Sequence, residues 1–471
     1  KTMDFNTRYA KLNDNQRQAV DYIHGSLLVI AGPGTGKTEL LSMRTAQILK
    51  QTDTLPNSIL CLTFTESGAT NMRQRLRQII GEDAYKIAIH TFHSFGTEII
   101  NQHREYFFRG ADAQPVDELT QYQIISGILE DLDWRNPLST KNNGEFVYIK
   151  ELIRIISEFK QSGLTPSELR AIIEDNQSTI AEIAPDIQQV FSAKISKKTI
   201  EMFAPIAEKI ANLAAKNPDE KNSKLPASIT PYANVLALSI VHAAQEAIDE
   251  NSTKPLTAWK NKWCEKNANG EFVLKDFTAA EKLSAAIDVY EKYVNILSER
   301  SLFDYDDMIL SVIQACESHP ELRANLQEQF QFIMVDEFQD TNLAQLRLLF
   351  NLTSENDDNP NIMAVGDDDQ AIFSFQGADV GNIQRFRQHY HDPKIIVLTD
   401  NYRSAENILS SARDVITQGS DRLENTIDGL SKQLTAHANS EGSKVEIQEF
   451  SSVGEERAGI AKQIAELIKN G

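Results

Sequence analysis

Cysteine is scarce: Cys61, Cys264 and Cys316 are the only three in 471 residues. They are too dispersed for a metal-ligand spacing and too few for a disulfide framework. That usage suits a reducing compartment, and Cys61, inside an apolar run, reads as a buried thiol. Long apolar runs are also missing. None is long enough to span a bilayer, and the first residues lack the apolar core of a signal peptide. The default expectation is a cytoplasmic protein with no membrane partner. Cationic charge is in deficit, with 47 Lys and Arg against 67 Asp and Glu and a net charge of −20. Such a surface excludes indiscriminate nucleic-acid binding but leaves room for a locally basic groove. The remaining composition, 41% hydrophobic and 24% charged, is that of a globular protein. The length allows roughly three domains.

The chain is organised around residues 26–49. A short apolar run, Leu27–Ala31, reads as a buried strand. It breaks into Gly32-Pro33-Gly34-Thr35-Gly36, and Lys37-Thr38 then opens an amphipathic helix. Strand, glycine loop and helix start, in that order, make a phosphate cradle, because glycines let backbone N–H groups converge on phosphate oxygens without Cβ clashes. Lys37 is placed to reach the β- and γ-phosphates of a nucleoside triphosphate, and the Thr38 hydroxyl to hold Mg2+. The full pattern begins with glycine, where Ala31 stands here.

Other strand ends carry chemistry of their own. Gln16 lies upstream of the loop on a helix capped by Asn13 or Asp14. Its amide supplies the donor and acceptor that reading an adenine edge requires. The apolar run 59–62 ends in Thr63-Phe64-Thr65, and the run 87–90 in Thr91-Phe92-His93. Ligands bind at strand C-terminal ends in doubly wound sheets. Hydroxyls and an aromatic there suit a single-stranded nucleic-acid track, although for either Phe alone a place in the core is the simpler reading. The run 330–335 delivers Asp336-Glu337, a Walker B arrangement with Asp336 for Mg2+ and Glu337 as general base. The run 361–365 leads to Gln370, placed to touch the γ-phosphate and the attacking water. The run 395–398 leads to Tyr402, a stacking face for a nucleobase, and Arg403, a candidate arginine finger.

Alternating strand and helix patterns predict an α/β fold, a parallel sheet with helices on both faces. Residues 1–104 and 290–390 read as one nucleotide-binding domain, 105–289 as a mainly helical insertion, and 391–471 as the start of a further domain. Within the insertion, Trp259 and Trp263 at helical spacing read as packing residues. The pentamer Asn-Gly-Glu-Phe-Val occurs at 143–147 and again at 269–273, which suggests two similar turn-to-strand entries.

The ordered set LNDNQRQAV, AGPGTGKT, LTFTESGATNMRQRL, TFHSF, DYDD, VDEFQDTN, VGDDDQAIFSFQGAD and LTDNYRS resembles superfamily 1 DNA helicases of the UvrD/Rep/PcrA type. The resemblance covers about residues 12–104 and 303–410. It implies an ATP- and Mg2+-dependent motor of two RecA-like lobes, moving 3′→5′ on single-stranded DNA and acting at single-strand/double-strand junctions in repair, replication or recombination. In that frame Gln16 recognises adenine, and Gly32 to Gly36, Lys37 and Thr38 hold the phosphates. Arg44 and Tyr402 also contact the nucleotide. Asp336 serves the metal and Glu337 the water, Gln370 senses the γ-phosphate, and Arg403 is the finger. Thr63, Phe64, Thr65, Thr91, Phe92, His93 and Phe375 line the DNA track.

There are departures from the family pattern. Glu39 stands where relatives often carry Arg, and Phe375-Gln376-Gly377 where they often carry Trp-Arg-Gly. Gln376 cannot supply a guanidinium charge. The later motifs of the second lobe are not found in 391–471, so the resemblance leads us to expect a fragment of a longer helicase and an incomplete motor. Two further readings stay open. One is the motor part of a RecB/AddA-like helicase–nuclease. The other is a recruitment module that binds ATP without hydrolysing it. Base stacking does not sense the 2′-OH, so DNA and RNA are not distinguished.

Overall fold

A computed structural model describes residues 5–107, 113–192, 194–216, 229, 231–275, 281–353, 359–371, 381–391, 393–419, 422–427, 429–438 and 444–470. Its centre is a six-stranded sheet. The strands are β1 (Leu27–Ala31), β2 (Ile59–Thr63), β3 (Ala88–Thr91), β4 (Phe332–Val335), β5 (Ile362–Gly366) and β6 (Lys394–Leu398). Their spatial order is β6-β1-β5-β4-β2-β3, and every pairing is parallel.

The near-continuous apolar runs follow from burial of both sheet faces. Residues alternate between two cores, as the strand period of two requires. Leu28, Ile30, Leu60, Leu62, Ile333, Val335, Ile362 and Ala364 face one core, which includes residues of the helices Phe92–Gln102, Asp307–Ser318 and Leu343–Leu352. Leu27, Val29, Ile59, Cys61, Met334, Met363 and Val365 face the other, with the helices Asp14–Asp21, Lys37–Gln51 and Glu66–Ile80. Cys61 is a buried thiol, pushed up to about 12 by burial. The expected α/β class is what the sheet shows.

β6 extends the reading. It pairs with β1 along its whole length, from Leu27↔Lys394 to Ala31↔Leu398. Residues 394–398 therefore close the edge of the first sheet, past the boundary at residue 391 suggested by sequence. Beyond them, Asp400–Asn401 pairs with Thr435–Ala436, and Leu423, Ile427 and Leu430 pack on the first core.

Between β3 and β4 the chain is mainly helical, with two apolar clusters of its own. The 26-residue helix Pro166–Phe191 contributes to both, Leu169 to one and Ile183, Ile187 and Phe191 to the other. Trp259 and Trp263 are buried in the second cluster. The repeated pentamer forms two hairpin turns. Asn143-Gly144 joins Lys141–Asn142 to Glu145–Phe146, and Gly270 lies between Cys264–Lys266 and Phe272–Leu274. Both glycines have positive φ, +87° and +80°, the conformation such turns demand. Among the described residues no helix is long and apolar enough to cross a membrane.

Candidate nucleotide site and nucleic-acid track

The strands end on one edge of the sheet, so Gly32, Thr63, Thr91, Asp336 and Asp367 all emerge there. The loop after β1 is shaped by its own contacts. Thr35 Oγ1 donates to Gly32 O at 2.7 Å, and Gly34 and Gly36 have φ of +69° and +88°. A Cβ on Gly34 would lie 2.7 Å from Asn401 Nδ2 and 2.8 Å from Arg403 Cβ. Only glycine lets the loop and the segment after β6 approach so closely. Asn401 Nδ2 donates to Pro33 O, and Tyr402 N to Gly34 O at 3.0 Å.

Lys37 Nζ donates to Glu337 Oε2 at 2.5 Å. Glu337 holds a left-handed backbone, φ 49°. For a non-glycine residue that conformation is strained, and such strain clusters at functional sites. A cavity of about 570 Å3 is lined by Thr38, Thr63, Phe64, Asp336, Glu337, Gln339, Asp340 and Gln370, among others. Burial and the Glu337 charge push Asp336 up to about 6, and Asp340 likewise. Among the described residues Asp340 Oδ1 is buried without a hydrogen-bond partner.

Among the described residues these carboxylates outnumber the cation that faces them, Lys37, which fits a site for a divalent metal. Among the described residues no three His, Cys, Asp or Glu side chains form a metal cage. Mg2+ commonly takes only one or two protein ligands and completes its shell with water and phosphate. Asp336 and the Thr38 hydroxyl are the residues that would hold it.

Gln16 is buried against the loop. Its Nε2 donates to Thr35 O at 2.9 Å and its Oε1 accepts from Asn13 N at 3.1 Å. One N–H and one lone pair remain for an adenine edge. Tyr402 is exposed, stacks on His437 with ring centres 5.4 Å apart, and accepts from Asn13 Nδ2 at 3.1 Å. Arg403 is exposed, and its guanidinium has no partner among the described residues. Arg44 overturns its expected role. It is 1% exposed and donates to the carbonyls of Ala19, Tyr22 and Ile23. It caps the end of the helix Asp14–Asp21 and does not face the nucleotide. Burial lowers it to about 10. Glu39, the departure from the family pattern, is satisfied by Arg8 at 3.0 Å and Arg75 at 3.2 Å.

The expected track is only partly assembled. Phe64 lines the cavity and Thr65 is exposed, capping the helix Glu66–Ile80. Phe92 is 2% exposed and belongs to the first core, so the core reading holds for it and the track assignment does not. Thr63 and Thr91 are buried. Their hydroxyls are used locally, Thr63 on Thr65 O and Thr91 on Glu66 and as the cap of Phe92–Gln102. These local bonds occupy the hydroxyls that the expected track would need. His93 stacks on Tyr305, ring centres 3.9 Å apart, and burial lowers it to about 4. Phe375 lies outside the described residues.

The UvrD/REP helicase N-terminal domain family matches residues 12–219 and 181–391. The UvrD-like helicase C-terminal domain family matches 396–471, where sequence suggested only the start of a second lobe. The chain belongs to the UvrD/REP helicase family. Similar curated proteins include the ATP-dependent DNA helicase PcrA of Staphylococcus epidermidis, 27% identical over 468 residues, 99% of this chain and 47% of the relative. The PcrA of Staphylococcus aureus is 26% identical over 460 residues, 98% of this chain and 46% of the relative. The chain spans about half the length of the curated relatives it matches.

Three residues of this UvrD/REP chain escaped sequence reasoning. Tyr305 is 64% exposed, and its position in DYDD was noted without the face it shares with His93. Gln339 is 1% exposed and touches Glu337 and Asp340. Lys432 is buried against Asp367, Asp368 and Asp369. No periodicity marks these contacts. A lysine in a loop reads as a solvated cation until its distant partners are known.

Proposed function

We propose that this chain is the ATP-hydrolysing motor portion of a DNA helicase or translocase that moves 3′→5′ along single-stranded DNA. The convergence of Lys37, Thr38, Asp336, Glu337 and Gln370 on one cleft supports this reading. A module that only binds ATP–Mg2+ has no need for a water-activating carboxylate beside the metal carboxylate. Mg2+, when bound, supplies charge neutralisation at the phosphates. Lys37 grips the β- and γ-phosphates, exchanging Glu337 for them. Glu337, released, takes a proton from the attacking water. Gln370 orients that water, and Arg403, already beside the loop, stabilises charge on the transferring group. Gln16 and Tyr402 hold the base.

The nucleic-acid track runs over half-buried Phe64 and exposed Thr65 to half-buried His93 and exposed Tyr305, with bases stacked on the accessible ring faces. In domain terms, residues 1–104 and 290–398 form lobe 1A, 105–289 the inserted 1B, and 399 onward belongs to 2A. Cytoplasmic DNA repair, replication or recombination is the setting this chemistry serves, with single-strand/double-strand junctions as substrate.

ATP turnover of the whole protein with and without single-stranded DNA tests the proposal, with an RNA oligonucleotide as a parallel arm. Strong stimulation by DNA supports it. Binding of ATP–Mg2+ without turnover in either arm establishes the recruitment module instead, and nucleolytic cleavage of the DNA establishes a helicase–nuclease.

A further inference from the structure

The run Asp367-Asp368-Asp369 follows β5 and precedes Gln370. All three carboxylates are held by one buried ammonium. Lys432 Nζ lies 2.7 Å from Asp367 Oδ1, 2.6 Å from Asp368 Oδ1 and 2.7 Å from Asp369 Oδ2. An ammonium has three N–H donors, so each is spent on one carboxylate. Arg422 adds a bidentate grip on Asp369, with both contacts at 2.8 Å, and Leu423 N donates to Asp368 Oδ2 at 2.8 Å. Arg422, Leu423 and Lys432 thus close this turn from outside the first sheet.

The closed turn continues toward the nucleotide cleft. Asp367 Oδ2 accepts from Gln370 Nε2 at 2.8 Å. Asp367 N donates to Gln339 Oε1 at 3.0 Å. Gln339 Nε2 donates to Glu337 Oε2 at 2.9 Å, the same oxygen that receives Lys37 Nζ. Gly366 makes the approach possible, because a Cβ there would sit 2.6 Å from Gln339 Oε1. Lys432, Asp367, Gln339, Glu337 and Lys37 therefore form one unbroken line of polar contacts. It runs from the stretch matched to the C-terminal domain family to the phosphate loop.

We propose that Gln339 is a positioning residue for ATP hydrolysis, aiming the Glu337 carboxylate, and that Lys432 sets Gln339 by holding the Asp367 amide in place. Gln339 is neutral, so its effect on Glu337 is directional. Lys432 acts at a distance. Without its charge three adjacent carboxylates repel and the turn opens, and Gln339 loses the donor that fixes its orientation. Movement of the segment 422–432 is thereby transmitted to the water-activating carboxylate. The inference rests on the reading of Glu337 as general base.

The test uses the whole protein with Gln339→Leu, which keeps the volume and removes both polar ends. Positioning predicts a fall in kcat of about tenfold to a hundredfold, part of the general-base contribution. Affinity for a fluorescent ATP analogue stays unchanged and thermal stability is nearly so. In a Glu337→Gln background the same substitution has no further effect on kcat. Hydrogen exchange at the Asp367 amide accelerates in Gln339→Leu and in Lys432→Met. Unchanged kcat in Gln339→Leu, or an equal loss in the Glu337→Gln background, overturns the proposal. If Lys432→Met does not fold, Gln339→Leu and the exchange at Asp367 decide alone. Absence of turnover in the unaltered protein overturns the functional reading instead, while amide exchange still reports whether Gln339 and Lys432 hold the turn.

Discussion

Lys37 Nζ and Glu337 Oε2 lie 2.5 Å apart across 300 residues of sequence. The two charges neutralise one another, and both side chains are partly buried, at 12% and 36% side-chain exposure. On the proposed function, a γ-phosphate would compete for Lys37 and free Glu337 to act as the base.

Glu337→Gln should separate the two jobs. Turnover falls by about 10²–10⁴, the general-base contribution, while nucleotide binding is retained or tightened, because Lys37 no longer leaves an ion pair to reach the phosphates. Lys37→Met should lose binding and turnover together. Equilibrium binding of a fluorescent nucleotide beside steady-state turnover checks both.

Arg403→Ala in the whole protein should lower kcat by roughly 10³–10⁵, the range for a finger arginine. ATP affinity should change little. Its guanidinium has no structural partner among the described residues, so the melting temperature should hold. Wild-type turnover in this variant would remove Arg403 from the site.

Arg44→Leu should act through stability. Three carbonyls, of Ala19, Tyr22 and Ile23, lose a charged donor, at a cost of about 2–3 kcal/mol. Chemical denaturation should show that loss, and kcat for the folded fraction should stay near wild type. A fall in ATP affinity with no change in stability would restore the nucleotide role expected from sequence.

Phe64→Ala and Phe92→Ala should differ in kind. Phe64 lines the cleft, and its loss should weaken single-stranded DNA binding by about 1–3 kcal/mol, the worth of one stacked base. Phe92 is core, and its loss should cost about 3–5 kcal/mol of stability. Fluorescence anisotropy with a labelled oligonucleotide and urea unfolding tell them apart.

Asp336 and Asp340 are both raised to about 6 from an ordinary value of 3.8. Between those limits the folded protein binds more protons than the unfolded chain, so their contribution to stability falls as pH rises from about 4 to about 6. Mg2+–nucleotide needs the ionised Asp336. Its binding should release protons near pH 6 and almost none at pH 8. Calorimetry in two buffers of different ionisation enthalpy measures this, and equal proton release at both values would contradict the shifts.

Much of the fold was legible because it is local. The runs at 27–31 and 59–62 are apolar for a reason that acts residue by residue, burial on both faces of a parallel sheet. That Lys37, Thr38, Asp336 and Glu337 would lie together was legible because each stands at a strand end or helix start on the same edge of a parallel sheet. Arg44 was misread because its partners are backbone carbonyls, which no side-chain pattern announces. For Phe92 the residue-level reading, a place in the core, holds, and the track position implied by the resemblance does not, because the helix it opens turns it inward.

By itself the sequence determined that apolar runs form a parallel α/β sheet and which polar residues stand at its strand ends, since periodicity and loop composition act over a few residues. Tertiary structure alone decided which charges meet. The edge pairing of β6 with β1 carries Asn401 and Arg403 to the phosphate loop. The fold of residues 422–432 brings Lys432 to three aspartates, and Gln339 to Glu337 follows from the closed turn. Coulombic and hydrogen-bond energies depend on distance through space, and a chain reports only distance along itself.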